Sequence, residues 1–240
     1  MKQLNLPQPG VDKANNALDA AHITLVGATG SGKTSALKRL RVPFLPTKGD
    51  HVAMFDPYGD YAGDSFRNSP VKAYSSWAEF YLALHQARKK KTGFKIAISG
   101  IAANPENLDI FCQIIWSLGD GFNKPLYAVC EETARCVTTA GKAQGAYGEC
   151  LTGGRKFNIR VVSLFQRGQE VPKTTLTQSA YKWIGAQEGM RDAEYLSKET
   201  DIPADQIGAL LGARDNNGVA QYFTRSPGMN NFKGGDFKVF

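Results

Sequence analysis

The sequence predicts an α/β domain with a mainly parallel central sheet. Short apolar runs typical of buried strands alternate along the chain with segments of helical periodicity. Because parallel strands need a crossover connection, this alternation favours a parallel sheet with helices packed on its faces. The length of 240 residues and the shares of hydrophobic (42%) and charged (21%) residues are ordinary for one globular domain.

The predicted elements follow one another from a strand that begins near His22. Strands rich in β-branched and aromatic residues are expected at 22–27, 51–56, 94–99, 125–130, 159–165 and 180–186, with shorter ones near 71–74 and 219–224. Helices are expected at 33–41, 76–90, 105–118, 145–156 and 190–199. We expect residues 1–20 to form a polar N-terminal arm, 21–225 the core, and the glycine-containing segment 226–240 an extended C-terminal tail.

The first strand leads into the sequence Gly-Ala-Thr-Gly-Ser-Gly-Lys-Thr and then into a helical segment, which is the phosphate-binding (Walker A) pattern in its strand–loop–helix setting. Glycines let successive N–H groups turn towards phosphate oxygens, and the following helix start adds partial positive charge. Lys33 is expected to reach the β- and γ-phosphates, and the Thr34 hydroxyl to bind Mg²⁺. The predicted nucleotide-binding residues are Gly27, Ala28, Thr29, Gly30, Ser31, Gly32, Lys33, Thr34 and Ser35.

An acidic pair follows the predicted strand 125–130. A nucleoside triphosphatase needs one carboxylate near Mg²⁺ and another that orients the attacking water. Glu131 is therefore predicted to hold the metal, through water, and Glu132 to act as the base. A separate strand, 159–165, ends at Gln166, whose amide can both donate and accept and so can sense the γ-phosphate or hold the water. An exposed surface turn is an equally open interpretation of Gln166.

Together these residues resemble the HerA–FtsK superfamily of ATP-driven DNA translocases. Besides the phosphate loop and the acidic pair, 52–61 resembles the family's Asp-Pro-x-Gly-Asp/Glu-Tyr signature, and 154–172 its Gly-Arg…Gln-Arg block. The segment 192–198 resembles the one that follows the last core strand. The resemblance covers about residues 20–225 and implies a P-loop NTPase fold of the RecA/ASCE type, a three-layer sandwich.

The chain departs from the family pattern at two places. Glu131 stands where the first acid is usually aspartate, and Gly168 stands where the Gln-Arg block usually continues with proline. The longer side chain puts the distance to the metal in doubt more than the role. Asp56, which ends the second strand, is expected to support the site rather than to bind substrate.

Within the superfamily, a bare core of this length resembles the genome-packaging ATPases of tailless, membrane-containing double-stranded DNA viruses and phages. That resemblance implies an ATPase that uses ATP and Mg²⁺ to move double-stranded DNA into a preformed capsid. It implies a homo-oligomeric ring, usually a hexamer, in which an arginine from the neighbouring subunit completes each site. Arg155 is the residue that matches, with Arg160 as a weaker rival. The alternative is that Arg155 only complements the end of its helix.

The net charge of +7 favours a polyanionic partner. Loop lysines that touch phosphates give binding that is independent of sequence and sensitive to salt. Lys142, in the glycine-rich loop 138–148, and the basic run Arg88, Lys89 and Lys90 are the candidate DNA contacts. The basic run has the alternative of complementing the dipole at a helix end.

No apolar stretch approaches the length of a membrane span, and the first residues lack a signal-peptide pattern. We therefore expect a cytosolic protein without a membrane anchor of its own. The resemblance to packaging ATPases implies that it works in the host cytoplasm or at the virion packaging vertex, with capsid vertex or membrane packaging proteins as partners. Two alternatives remain. One is a HerA-like cellular or plasmid translocase for DNA repair or transfer. The other is an assembly factor that ATP switches without moving DNA.

Overall fold

The computed structural model describes residues 4–139 and 141–240. The strands within these residues are Ile23–Val26 (β1), His51–Asp56 (β2), Ser65–Phe66 (β3), Ser69–Pro70 (β4), Lys72–Tyr74 (β5), Phe94–Ser99 (β6), Leu126–Cys130 (β7), Ile159–Phe165 (β8), Tyr181–Gly185 (β9), Val219–Arg225 (β10) and Phe232–Lys238 (β11). The α-helices are Lys33–Arg39 (α1), Trp77–Arg88 (α2), Pro105–Ser117 (α3), Gly145–Gly153 (α4), Lys173–Gln178 (α5), Met190–Thr200 (α6) and Ala204–Gly208 (α7).

Nine of the strands in this part of the chain form one sheet, in the order β11-β10-β9-β1-β8-β7-β2-β6-β5. The strands from β9 to β5 run parallel, and β10 and β11 are antiparallel additions at one edge. β1 lies between β8 and β9, with Leu25 in register with both Leu164 and Trp183. The carboxyl ends of the parallel strands therefore meet at one edge of the sheet, where the loop after β1 also lies.

Both faces of the sheet are covered, and its central strands are buried at every position. In β2, Ala53 and Phe55 pack under α2 and α3, whereas Val52 and Met54 pack on the opposite face with Leu37 of α1. Of the remaining helices, α4 packs with α3, and α5 to α7 cover β1, β8 and β9 on the same side. These layers confirm the predicted α/β three-layer sandwich with a mainly parallel sheet.

All eight strand segments and all five helices expected from the sequence are present, with ends that differ by a few residues. The interpretation of 226–240 as an extended arm is wrong for Phe232–Lys238, which pairs along its whole length with β10. Its pairing places Phe237 and Val239 beside Gly32 of the phosphate loop rather than away from the core. The helices α5 and α7 and the small β3–β4 hairpin were not expected.

Among the helices within 4–139 and 141–240, none combines the length and the apolar character that crossing a membrane requires.

Candidate active site

Backbone hydrogen bonds anchor the phosphate loop to the ends of β8 and β9, the two strands that flank β1. The N–H of Gly27 donates to the Phe165 carbonyl at 3.4 Å, and the N–H of Ala28 donates to the Ala186 carbonyl at 2.8 Å. A third bond, from the Ser31 N–H to the Ala28 carbonyl at 3.1 Å, closes the turn. These backbone hydrogen bonds fix the loop at the carboxyl edge of the sheet.

Two glycines give the loop a path that other residues rarely adopt. Gly30 has φ +80° and Gly32 has φ +95°, both in the left-handed region. A Cβ at Gly32 would also lie 3.0 Å from the Ala220 Cβ and 3.3 Å from Val239 Cγ2. Gly32 is therefore required both by its backbone angle and by the close approach of the β10–β11 hairpin and the residue that follows it.

The interior of the loop presents polar groups that suit a phosphate chain. Lys33 Nζ donates to the Gly27 carbonyl at 2.5 Å and to the Ala28 carbonyl at 3.1 Å. Burial lowers the pKa of Lys33, and the carboxylates of Glu131 and Glu132 oppose that shift. The hydroxyl of Ser31 is buried without a hydrogen-bond partner. A folded-back ammonium and an unsatisfied hydroxyl at a glycine cradle fit the triphosphate of a nucleotide.

Glu131 follows β7 and brings a buried carboxylate to the loop. Its Oε1 accepts a hydrogen bond from the Thr34 hydroxyl at 3.4 Å and a short one from the hydroxyl of Tyr61. Burial raises the pKa of Glu131 to about 7, against the opposing effects of the Tyr61 hydrogen bond and the Lys33 charge. Carboxylate and hydroxyl oxygens are the ligands that Mg²⁺ prefers, so Thr34 and Glu131 fit the predicted metal site.

Asp56 builds the turn that delivers Tyr61 to this carboxylate. The Asp56 carboxylate accepts the backbone N–H groups of Asp60 at 2.7 Å, Tyr61 at 3.1 Å and Ala62 at 3.1 Å. The supporting role expected for Asp56 thus has a definite geometry. The role of Tyr61 was not predicted, although this residue ends the family signature at 52–61. The sequence pattern at the end of β2 does not show that the Tyr61 hydroxyl reaches Glu131.

Four of the predicted catalytic residues, Lys33, Glu131, Glu132 and Gln166, border one cleft of about 300 Å³. Glu132 adopts φ +50°, an uncommon backbone conformation for a side-chain-bearing residue that is enriched at functional sites. Gln166 is exposed at the end of β8. The cleft is lined by Thr29, Gly30, Gly32, Lys33, Thr34, Ser35, Asp60, Glu131, Glu132, Gln166, Ala213, Arg214, Val239 and Phe240. The structure therefore brings Lys33, Thr34, Glu131, Glu132 and Gln166 together.

Arg155 lies at the other edge of the sheet, just before the start of β8. Its Nη1 donates to the Asn16 carbonyl at 3.2 Å and to the Leu18 carbonyl in a short bond. The guanidinium therefore holds the N-terminal segment against the core and is remote from the cleft of its own chain. Arg160 does not line the cleft either; its Nη1 donates to the Tyr127 hydroxyl at 2.8 Å.

The prediction that Arg88 contacts DNA is wrong, because the side chain is buried at the end of α2, with only 6% of its surface exposed. Its Nη1 donates to the Lys124 carbonyl at 2.8 Å and lies 2.8 Å from His51 Nδ1. Lys89 and Lys90, by contrast, are exposed, and so is Lys142. Lys142 belongs to a loop of which Ala140 lies outside the described residues.

Five residues of the cleft were not predicted: Asp60, Ala213, Arg214, Val239 and Phe240. The last four lie on the β10–β11 side of the phosphate loop. They carry no sequence signal, because they reach the cleft only through the pairing of β11 and the folding of the loop before β10.

Residues 13–112 match the sequence model of a family described as the central domain of helicase HerA. The matched range contains the phosphate loop and the turn that carries Asp56 and Tyr61. Protein P9 of Pseudoalteromonas phage PM2 is 28% identical to this chain over 202 residues, which are 83% of the chain and 84% of P9.

Solved structures with the same fold include the genome packaging NTPase B204 of Sulfolobus turreted icosahedral virus 2, in complex with AMPPCP. It matches with a TM-score of 0.65 and 14% identity over 91% of this chain and 97% of B204. The plasmid coupling protein TrwB, in complex with the GTP analogue GDPNP, matches with a TM-score of 0.64 and 14% identity over 99% of this chain and 91% of TrwB. These findings confirm the resemblance to the HerA–FtsK superfamily and its P-loop NTPase fold.

Proposed function

We propose that this chain, a P-loop NTPase similar to the HerA–FtsK superfamily, is an ATP-driven translocase that packages double-stranded DNA into a preformed viral capsid. The observation that carries the proposal is the cleft in which Lys33, Thr34, Glu131, Glu132 and Gln166 converge. Similarity to protein P9 of phage PM2 over most of both chains supports a viral setting, and the fold shared with the genome packaging NTPase B204 supports the packaging role.

The chemistry is hydrolysis of the bond between the β- and γ-phosphates. The loop N–H groups hold the triphosphate, and Lys33 exchanges its bonds to the Gly27 and Ala28 carbonyls for bonds to phosphate oxygens. Glu132 accepts a proton from a water whose oxygen attacks the γ-phosphorus, and the β–γ bridging oxygen leaves with ADP. Gln166 holds that water or senses the γ-phosphate through its amide.

Thr34 and Glu131 are the residues that would hold Mg²⁺, which neutralises charge on the β- and γ-phosphates when bound. Glu131 is kept in place for this role by the hydroxyl of Tyr61.

The working form is a homo-oligomeric ring, a hexamer, with Arg155 of one subunit reaching the cleft of its neighbour. Lys142, Lys89 and Lys90 are exposed cations for the DNA phosphates. Capsid vertex or membrane packaging proteins complete the assembly, in the host cytoplasm or at the packaging vertex of the virion.

The experiment is steady-state ATP hydrolysis by the purified protein, with and without double-stranded DNA, in the wild type and in Glu132→Gln. We expect DNA to stimulate turnover of the wild type. The Glu132→Gln variant should bind ATP but turn over about 10²- to 10⁴-fold more slowly, because it lacks the base. Wild-type hydrolysis that DNA leaves unchanged would contradict a translocase and favour an ATP-switched assembly factor.

A HerA-like translocase for DNA repair or transfer is the second candidate, favoured by the match of residues 13–112 to the HerA central-domain model. Both motors would show DNA-stimulated hydrolysis. They differ in their partners, so co-purification of the tagged chain with a capsid or virion membrane protein favours packaging. Co-purification with a nuclease favours repair.

A further inference from the structure

The nucleotide cleft has two walls of different character. Glu131, Glu132 and Gln166 form one wall, and they come from the ends of β7 and β8 on one side of β1. Arg214 and Phe240 belong to the other wall, which comes from the β9–β11 side. The proposed base Glu132 and the water-holding Gln166 lie on the first wall, and Lys33 lies between the walls, so the proposed reaction leaves the second wall without a role.

The loop that carries Arg214 rests directly on the phosphate loop. The N–H of Ala213 donates to the Gly30 carbonyl at 3.1 Å, and the N–H of Gly218 returns to the Ala213 carbonyl at 2.8 Å. A Cβ at Gly30 would lie 3.5 Å from the Cβ of Arg214. The Arg214 side chain is 71% exposed, and its Nε is 3.7 Å from a carboxylate oxygen of the equally exposed Asp215. A surface ion pair of this kind is weak, so the guanidinium is available to a stronger anion.

The residues after β11 close the same wall. The N–H of Val239 donates to the Gly218 carbonyl at 2.7 Å, and its carbonyl accepts from Arg39 Nη1 at 3.0 Å. These bonds fix the backbone of Val239 beside Gly32. The next side chain, Phe240, borders the cleft with 74% of its surface exposed. A large aromatic ring held at the mouth of a polar cleft is the kind of surface that a flat apolar ligand covers.

We propose that this second wall binds the nucleoside end of the ATP, with the Phe240 ring against the base and the Arg214 guanidinium on the phosphates. The inference rests on the proposed function. The proposed metal site at Thr34 and Glu131 places the γ-phosphate end of the nucleotide beside the first wall. The rest of the nucleotide then extends towards the opposite wall, since the phosphates cross the loop between the two walls. A planar guanidinium suits phosphate oxygens, and an aromatic ring stacks on a purine.

The test is calorimetric titration of the full chain with two ligands in the presence of Mg²⁺: ATP, and inorganic tripolyphosphate, which has no base. Phe240→Ala should weaken ATP binding about tenfold and leave tripolyphosphate binding unchanged, because only the base contact is lost. Arg214→Ala should weaken both ligands by similar factors. Phe122→Ala is the matched control, since Phe122 is equally exposed (72%) in the loop before β7, at the other edge of the sheet.

Wild-type affinity of Phe240→Ala and Arg214→Ala for both ligands would overturn the inference. An equal loss of affinity for ATP and for tripolyphosphate in Phe240→Ala would also overturn it, since a contact with the base cannot affect the binding of tripolyphosphate. Lys33→Ala separates the two levels of the proposal. If Lys33→Ala loses both ligands while the wall variants bind normally, the nucleotide site stands and only the second wall is wrong. If the wild type binds neither ligand, the proposed function fails as well.

Discussion

At the scale of single residues, Glu131 is the group on which the site depends. A buried carboxylate is costly unless hydrogen bonds and nearby positive charge compensate for lost hydration. Here the hydroxyls of Tyr61 and Thr34 donate to the same oxygen, and Lys33 supplies the nearby charge. Glu131 also borders the cleft. The turn built by Asp56 therefore acts on the site through Tyr61.

We predict that Tyr61→Phe raises the Mg²⁺ concentration needed for half-maximal hydrolysis about tenfold, the usual effect of losing a bond to a metal-binding carboxylate. The KM for ATP should change little, because the loop contacts stay. The measurement is hydrolysis as a function of Mg²⁺ and of ATP separately. Tyr127→Phe is the control, since Tyr127 is also buried and its hydroxyl bonds Arg160 instead. Identical Mg²⁺ dependence in the wild type and Tyr61→Phe would show that Tyr61 only fills space.

The raised pKa of Glu131 predicts a pH dependence of stability in the metal-free protein. Its pKa is about 7 when folded and near 4.5 when unfolded, so the folded state binds more protons between these values. Its contribution to stability is therefore complete below about pH 4.5 and is lost as the pH rises through about 7. In urea unfolding with a chelator present, the wild type should lose on the order of 2 kcal/mol between pH 5 and pH 8 relative to Glu131→Gln. Parallel profiles for the two proteins would contradict the assignment.

At the scale of elements, the phosphate loop could be predicted because its information is local. A buried strand, glycines with positive φ and a helix start lie within about a dozen residues, and each has its own sequence signal. The acidic pair was also predictable, since it directly follows the apolar strand β7. The strands and helices of the core were predicted by their alternation for the same reason.

What could not be predicted depends on contacts between distant segments. β11 reads Phe-Lys-Gly-Gly-Asp-Phe-Lys, and most of its residues are exposed, so it lacks the buried face that would identify a strand. Only pairing with β10 makes it one. Phe240 reaches the cleft through that pairing, and Arg214 reaches it through the folding of the loop before β10. Arg88 was misassigned because a basic run looks exposed in sequence, although His51 and two backbone carbonyls bury its first member.

The buried position of Arg88 predicts a stability effect without a DNA effect. Arg88→Met would leave His51 Nδ1 and the carbonyls of Lys124 and Leu118 without their donor. We expect a loss of about 2–4 kcal/mol in the free energy of unfolding, measured with urea. The double variant Lys89→Ala/Lys90→Ala is the matched comparison, since both side chains are exposed, and it should unfold like the wild type. The contrary result is a fully stable Arg88→Met that binds DNA more weakly.

At the scale of the whole molecule, the charged groups divide between the two edges of the sheet. The nucleotide cleft occupies the carboxyl edge. Arg155 precedes β8, and Lys89 and Lys90 precede β6, so all three belong to the amino edge. An arginine at that edge cannot serve the cleft of its own chain. In the proposed ring it would act on a neighbouring subunit, which requires that it release the carbonyls of Asn16 and Leu18.

This arrangement predicts complementation between two inactive variants. Lys33→Ala removes the phosphate contact within its own subunit, and Arg155→Ala removes the group proposed to act on the neighbour, so each alone should form inactive rings. In a ring assembled from equal amounts of both, sites that pair an intact Lys33 with an intact Arg155 should recover up to about a quarter of wild-type hydrolysis, as random mixing of an arginine supplied in trans requires. A ring mixed from Lys33→Ala and Glu132→Gln subunits is the control. It should stay inactive, since each of these changes removes a group that acts in the cleft of its own subunit. If Arg155 instead only holds the N-terminal segment of its own subunit, a neighbour cannot repair the Arg155→Ala subunits, and this mixture stays inactive too.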